Sequence, residues 1–370
     1  MTHRIHNFGA GPAVLPLPVL EQAQRELLDF QGTGVSMLEH SHRGPAYAAV
    51  HAQTLADLRA LLGPGNEDFE VLFMGGGARS QFALVPMNLL YPGASAGYVT
   101  TGRWAEMALA EGRKLGEKLC QVKELWSSAS QGHDRVPKAG EFAVEPDLAY
   151  LHYTSNNTVA GTQYPAPPEA GEVPLVCDMS SDIFSRPINL KPYGLIYAGA
   201  QKNLGPAGVT LVVVRKDLLA RSHAKLMELG DMFNYEKVAA KDSLLNTAPT
   251  FPIYMVGLVA RWLLDQGGLG AMAARNAAKA AVLYGAIDGS EGFYRGHAQG
   301  DSRSRMNVTF RLPTEALEAR FIEEAKNEGM IGLKGHRSVG GVRASIYNAC
   351  PSEAIEALVA FMKDFARQNG

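Results

Sequence analysis

Lys202 stands in Tyr197-Ala198-Gly199-Ala200-Gln201-Lys202-Asn203-Leu204-Gly205-Pro206, between a short apolar run and a turn. Upstream, Pro174-Leu175-Val176-Cys177-Asp178 ends another apolar run in a carboxylate. A lysine amine can hold an aldehyde cofactor as a Schiff base and, once released, carry a substrate proton. A carboxylate can keep a pyridine nitrogen protonated, which makes the ring an electron sink. Together Lys202 and Asp178 are the groups that pyridoxal phosphate chemistry requires. Taken singly, each has a plainer reading: a solvated loop lysine, and an aspartate that caps a turn through Ser180 and Ser181.

Elements must bring the two together. Both apolar runs read as buried strands. Amine and carboxylate would then project from one edge of a sheet, and open α/β sheets bind ligands outside the carboxyl ends of their strands. A third segment strengthens the pairing. Phe69 to Met74 reads as a strand, Gly75-Gly76-Gly77-Ala78-Arg79-Ser80 as a tight turn, and Gln81 to Met87 as the helix that follows. Free N–H groups and the dipole at such a helix start suit a phosphate. The turn lacks the dinucleotide fingerprint, since Ser80 occupies the third glycine position, and it lacks the Gly-Lys-Ser/Thr of a Walker loop. A phosphate without a nucleotide fits it better.

Further stretches extend the pattern: Ser41-His42-Arg43-Gly44, Ser185-Arg186-Pro187-Ile188, Gly335-His336-Arg337 and Arg343-Ala344-Ser345-Ile346-Tyr347-Asn348. With the lysine and glycine segments, and in order from Phe8-Gly9-Ala10-Gly11-Pro12 to the last helix, the chain resembles the phosphoserine aminotransferase family. The resemblance implies a fold type I, class V-like aminotransferase that uses pyridoxal 5'-phosphate. It makes Lys202 the Schiff-base lysine and Asp178 the partner of the pyridine nitrogen. Trp104 would stack on the ring, and Thr158 would hydrogen-bond its phenolic oxygen. Ala78, Arg79 and Gln201 would contact the phosphate, together with Asn246 and Thr247 reaching across from a second subunit. Arg343 would clamp the substrate α-carboxylate. His336 and Arg337, with His42 and Arg43 contributed by the other subunit, would hold the substrate phosphate or the glutamate side chain. A homodimer with shared active sites is part of what the resemblance implies. So is transamination between glutamate and 3-phosphohydroxypyruvate in serine biosynthesis, with 4-phosphohydroxythreonine of pyridoxine biosynthesis as a further substrate. Where the family's phosphate loop commonly has glycine, this chain has Ala78 and Ser80.

Composition narrows the class independently. At 370 residues, 46% of them hydrophobic and with a formal charge of −2, the chain can bury two cores and offers no basic field for nucleic acid. Met1 to Asn7 lacks an apolar leader, and Gly257 and Arg261 interrupt the longest apolar stretch, so a cytoplasmic protein with no membrane partner is expected. Three cysteines, Cys120, Cys177 and Cys350, show no close metal spacing and are expected as thiols, and no metal is expected. Strands at Gly97 to Thr100 and Val209 to Val214, and helices at Glu21 to Phe30 and Ala46 to Leu62, alternate as in a doubly wound α/β domain. Ser127 to Gly140 and Pro165 to Pro174 read as connections. After Pro252 come two long helices, an alternating strand at Met306 to Phe310, a helix from Thr314 and a last helix whose cap lies in Pro351-Ser352-Glu353. A large cofactor domain over 16–255 and a smaller α+β domain from 1–15 and 256–370 are expected. Two rival chemistries are weaker. Gly93-Ala94-Ser95-Ala96-Gly97 matches a nucleophile elbow in letters, but a strand follows it instead of preceding it. Cys350 could serve a desulfurase, yet before a helix it reads as a small apolar residue.

Overall fold

The computed structural model describes residues 4–116, 120–220 and 229–370. Residues 1–3, the start of the segment read as leaderless, lie outside them. The chain opens with a short strand, β1 (His6–Asn7), and two helices, α1 (Leu17–Glu26) and α2 (Pro45–Leu62). Strand and helix then alternate through β2 (Phe69–Met74), α3 (Gly77–Leu89), β3 (Ser95–Thr100), α4 (Arg103–Gly116), β4 (Gln121–Ser127) and β5 (Tyr150–Thr154). A small hairpin, β6 (Asn156–Asn157) and β7 (Thr162–Gln163), precedes β8 (Leu175–Asp178), β9 (Tyr193–Gly199) and β10 (Thr210–Arg215). Helices α5 (Lys216–Ala220), α6 (Tyr235–Ala239), α7 (Thr250–Asp265) and α8 (Gly268–Asp288) lead to β11 (Arg295–Gly296), β12 (Asn307–Arg311), α9 (Glu315–Asn327), β13 (Met330–Ile331), β14 (Val342–Ser345) and α10 (Ser352–Asn369).

Seven strands form the main sheet in the order β2-β10-β9-β8-β5-β3-β4. All neighbours are parallel except where β10 runs against both β2 and β9. The strand sequences explain why the sheet is covered on both faces. Along β10, Leu211 and Val213 join one apolar core while Val212 and Val214 join the other. That is the period-2 alternation of a strand packed on both sides. One core lies against α2 and α7, and the other against α3, α4 and α6. A third core gathers Phe8, the later part of α8, β12, β14, α9 and α10. Its three-stranded sheet runs β11-β12-β14, and β1 pairs with β13 beside it. Residues on both sides of position 255, from Ile253 to Met272, pack into the core against α2, so the expected domain limit falls within one packed helix.

The first helix differs from the sequence expectation. It spans Leu17–Glu26, earlier than Glu21 to Phe30, with prolines at its start, where a missing N–H costs nothing. Phe30 instead closes a loop, its N–H donating to Val35 O at 2.9 Å, and its ring is buried. At the last helix Pro351 occupies the cap position and makes no side-chain capping bond; Ser352 is already helical.

Candidate active site

The carboxyl ends of β2, β3, β5, β8 and β9 meet at one edge of the sheet, and each parallel strand delivers a candidate group there. After β2 the chain turns through Gly76 and Gly77, both at positive φ (84° and 68°), into α3. Ser80 Oγ donates to Gly77 O at 2.8 Å, so the serine that replaces glycine in this loop stitches the turn. The N–H of Ala78 points toward β9: a Cβ built on Gly199 would lie 3.3 Å from Ala78 N and 2.7 Å from Gln201 Oε1. Gly199, Gln201 and the start of α3 thus form a cradle in which a side chain at 199 would displace the Gln201 amide and press on Ala78 N. An anion there meets N–H groups and the positive end of a helix dipole. Arg79 points outward and is exposed.

Asp178 ends β8 and is buried, with Oδ1 accepting from Ser180 N at 2.9 Å. The aspartate thus caps the turn through Ser180, as its plainer reading expects. Burial raises its pKa, while the Lys202 ammonium and the Ser180 hydrogen bonds act the other way. A cation in front of it would supply the counter-charge. Ser180 Oγ also accepts from Gly199 N at 3.0 Å, which ties the Asp178 turn to the lysine strand.

Lys202 follows β9. Its Nζ donates to Thr158 Oγ1 at 2.6 Å and lies 5.6 Å from the centre of the Trp104 ring. Burial pushes the amine down to about 8; Asp178 opposes that shift, and Arg343 adds to it by like-charge repulsion. Trp104 stands in the first turn of α4, and its Nε1 is buried without a partner. On the far side, Arg343 of β14 projects between buried Val342 and Ala344, as the alternation predicts. Its Nη1 donates to Thr158 O at 3.4 Å, and its Nε is buried without an acceptor. His336 follows in the loop before β14. Burial and three neighbouring arginines, Arg103, Arg343 and Arg337, hold its pKa below the usual histidine value. Orphaned donors on Trp104 and Arg343, a glycine cradle at a helix start, and an amine facing a carboxylate fit a planar, phosphorylated, pyridine-bearing cofactor and an anionic substrate.

The other expected residues lie elsewhere on the chain. His42 and Arg43 sit in the turn before α2, and Asn246 and Thr247 in the exposed segment before α7. None of them makes a side-chain hydrogen bond or ion pair to the Lys202 cluster within this chain, and His42 Nε2 is buried without a partner. Sequence reasoning also passed over residues that hold the site. Asp182 accepts from Ser155 and, at 3.0 Å, from Gln163. Asn203 bonds Ile183 O at 2.6 Å, and Tyr347 OH donates to Ala10 O at 2.8 Å. Asn203 was quoted beside Lys202, but only the fold shows what it touches. Arg103 was likewise visible only as the residue before Trp104.

The rivals lose ground on geometry. β3 begins at Ser95, so no strand precedes that serine. Cys350 is buried, and burial pushes its thiol up to about 11, the opposite of an activated nucleophile.

This fold and site define a class. The class-V aminotransferase family model matches residues 5–358, and the chain belongs to that family. Its relatives narrow the class further. It is 53% identical over 367 residues to the phosphoserine aminotransferase of Laribacter hongkongensis, covering 99% of each chain. It is 54% identical over 371 residues to that of Desulfatibacillum aliphaticivorans, covering both completely. Among solved structures, phosphoserine aminotransferase from Bacillus circulans subsp. alkalophilus superposes with a TM-score of 0.95 at 51% identity, covering all of both chains. The pyridoxal-phosphate-bound enzyme from Trichomonas vaginalis gives 0.91 at 36% identity, covering 97% of this chain and 100% of the other.

Proposed function

We propose that this chain is a pyridoxal-phosphate-dependent transaminase acting between glutamate and 3-phosphohydroxypyruvate, giving 2-oxoglutarate and O-phosphoserine for serine biosynthesis. The observation that carries the reading is the Lys202 amine held 2.6 Å from Thr158 Oγ1, facing Asp178 and Trp104 at the edge where the glycine turn opens. Bound there, pyridoxal phosphate supplies an electrophilic carbon to take the amino group and a protonated ring to accept electrons.

The chain's residues do the rest. Lys202 holds the cofactor between turnovers. As a free amine it would take up and return the proton at the substrate α-carbon. An amine lowered to about 8 is suited to that role near neutral pH. Asp178 keeps the ring nitrogen protonated by its charge. Trp104 covers one ring face and excludes water. Thr158 orients Nζ and the phenolic oxygen. The Ala78 N–H and Gln201 hold the phosphate, with Arg79 at its rim. Arg343 fixes the α-carboxylate with its paired N–H groups, and His336 and Arg337 take the distal phosphate or carboxylate.

A homodimer with shared sites belongs to the same proposal. Exposed apolar side chains at Leu28, Leu38 and Phe233 are available to such a contact. In it, His42 and Arg43 of the partner subunit join the substrate pocket, and Asn246 and Thr247 of the partner subunit join the phosphate. In the same reading, the two cores flanking the main sheet belong to a large cofactor domain and the third core to a smaller domain carrying Arg343 and His336. A cytoplasmic location fits the three free thiols; among the described residues no helix is long and apolar enough to cross a membrane. The same anion-holding groups suit 4-phosphohydroxythreonine, a longer phosphorylated acid of pyridoxine biosynthesis.

The visible spectrum of the yellow holoenzyme, titrated with phosphoserine and no keto acid, tests the reading. The band should disappear with phosphoserine, respond weakly to serine and be absent in Lys202→Ala. A yellow protein indifferent to phosphoserine overturns the substrate; one that never binds the cofactor overturns the chemistry.

A further inference from the structure

The amine of Lys279, in α8, is buried in the molecule and has no carboxylate partner among the described residues. Its Nζ donates to three backbone carbonyls of one loop: Ile346 O at 3.0 Å, Tyr347 O at 2.7 Å and Cys350 O at 3.1 Å. An ammonium has three hydrogens and no acceptor, so the cation is matched to these carbonyls and to nothing else. One helical turn earlier, buried Asn276 donates to Asn348 Oδ1 at 2.7 Å and to Ser185 O at 3.1 Å. Spacing of three residues puts both side chains on one face of α8.

The loop they grip continues into the catalytic segment. Asn348 N donates to Asn203 Oδ1 at 2.9 Å, and Asn348 Nδ2 donates to Phe184 O at 2.9 Å. Asn203, the neighbour of Lys202, in turn donates to Ile183 O at 2.6 Å. An unbroken set of direct bonds thus joins α8 to the residue beside the lysine and to the turn that follows Asp178. Arg343 is held separately: β14 pairs with β12, and Arg343 N donates to Leu333 O at 2.8 Å.

We propose that Lys279, assisted by Asn276, is a positioning residue that sets the Lys202 amine through the 346–350 loop and Asn203. The proposal rests on the reading of Lys202 as the proton-carrying lysine. A burial-lowered Lys279 amine, at about 8, is what an isolated cation retained for its geometry shows. The cost of burying it is offset only where the three bonds hold.

Lys279→Met keeps the volume and removes the donors; Asn276→Ala is a milder second variant should the first not fold. In single-turnover reaction of the holoenzyme with phosphoserine, the saturating rate should fall by about tenfold to a hundredfold, the cost of a small misplacement of a reacting group. The half-saturating concentration should change by less than about threefold, since Arg343 keeps its own supports. In the cofactor-free variants, trace acylation of Lys202 should show a titration midpoint moved upward as the amine escapes its pocket. A role confined to stability would lower the melting temperature and leave the saturating rate and the Lys202 midpoint unchanged in the folded protein; that result overturns the proposal. If Lys202→Ala itself retained the half-reaction, it is the underlying mechanism that would fail.

Discussion

The Lys202 amine gives a quantitative test that needs no cofactor. With its pKa lowered from 10.5 to about 8 by burial, roughly a quarter of the amine is neutral at pH 7.5, against about one part in a thousand for an ordinary lysine. Only the neutral amine attacks an acylating reagent. Trace labelling of the cofactor-free protein with an uncharged anhydride, followed by mass spectrometry of the Lys202 peptide, should therefore show about two hundredfold more reaction at this pH than an accessible lysine of equal intrinsic reactivity. Labelling should rise with pH and level off above about pH 9. Two substitutions fix the sign of the electrostatics. Asp178→Asn removes the charge that favours the ammonium, so the midpoint should drop further. Arg343→Leu removes a like charge, so it should climb. A wild-type midpoint near 10, or a midpoint that rises in Asp178→Asn, would refute the account of how this amine is tuned.

Three other outcomes follow from the geometry. Gly199→Val places methyl groups against Ala78 N and Gln201; overpacking of this kind costs about 1–3 kcal/mol, read as a lowered urea midpoint together with weaker retention of pyridoxal phosphate in equilibrium dialysis. Glu318, buried on α9, takes hydrogen bonds from Arg311 Nε, Leu312 N and Gly341 N. Glu318→Ala should lower stability by about 2 kcal/mol in urea unfolding, and an unchanged midpoint would show those donors satisfied by solvent. Burial and three arginines hold the His336 pKa down and favour its neutral ring, whereas a phosphate dianion bound beside it would favour the protonated one. Inhibition by inorganic phosphate should then strengthen as pH falls from 8 to 6, and His336→Asn should flatten that dependence.

Much of the site was legible because its chemistry depends on residue type. A Schiff base calls for a lysine and a pyridine nitrogen for a carboxylate, so Lys202 and Asp178 stand out as candidates, and strand ends followed by turns announce where such groups gather. The main sheet was legible for the same reason: β9 and the stretch of β10 from Leu211 to Val214 are apolar and bounded by turn residues. What stayed hidden depends on side chains meeting across long sequence separations. Asn203, Asn276 and Asn348 are unremarkable as letters and become a network only when α8, the loop before α10 and the lysine segment converge. β4 escaped notice because an edge strand carries exposed polar residues, Gln121 and Glu124 among them, and lacks the apolar signature of its neighbours. The reversed direction of β10 leaves no mark in composition, since a strand buried on both faces reads alike either way. His42, Arg43, Asn246 and Thr247 carry a different lesson: in the proposed dimer the pocket is built across subunits, and such a pocket draws on positions that one chain alone does not bring together.

The first dozen residues end far from where synthesis leaves them. β1 pairs with Met330 and Ile331, Phe8 is packed among residues of the last third of the chain, and Ala10 receives its bond from Tyr347. Ala13 N donates to Gln201 O at 2.9 Å, and Gly11 passes so close to Lys202 that a Cβ there would lie 3.2 Å from Cγ. The wall beside Lys202 is thus made by a segment synthesised well before its partners. At about 5–20 residues per second, the leading end waits some tens of seconds for the segment it must join. The main sheet, complete by Arg215, can close meanwhile. The ribosome therefore delivers a sheet with its lysine in place well before it delivers the segment around Met330 to Tyr347 that completes the wall.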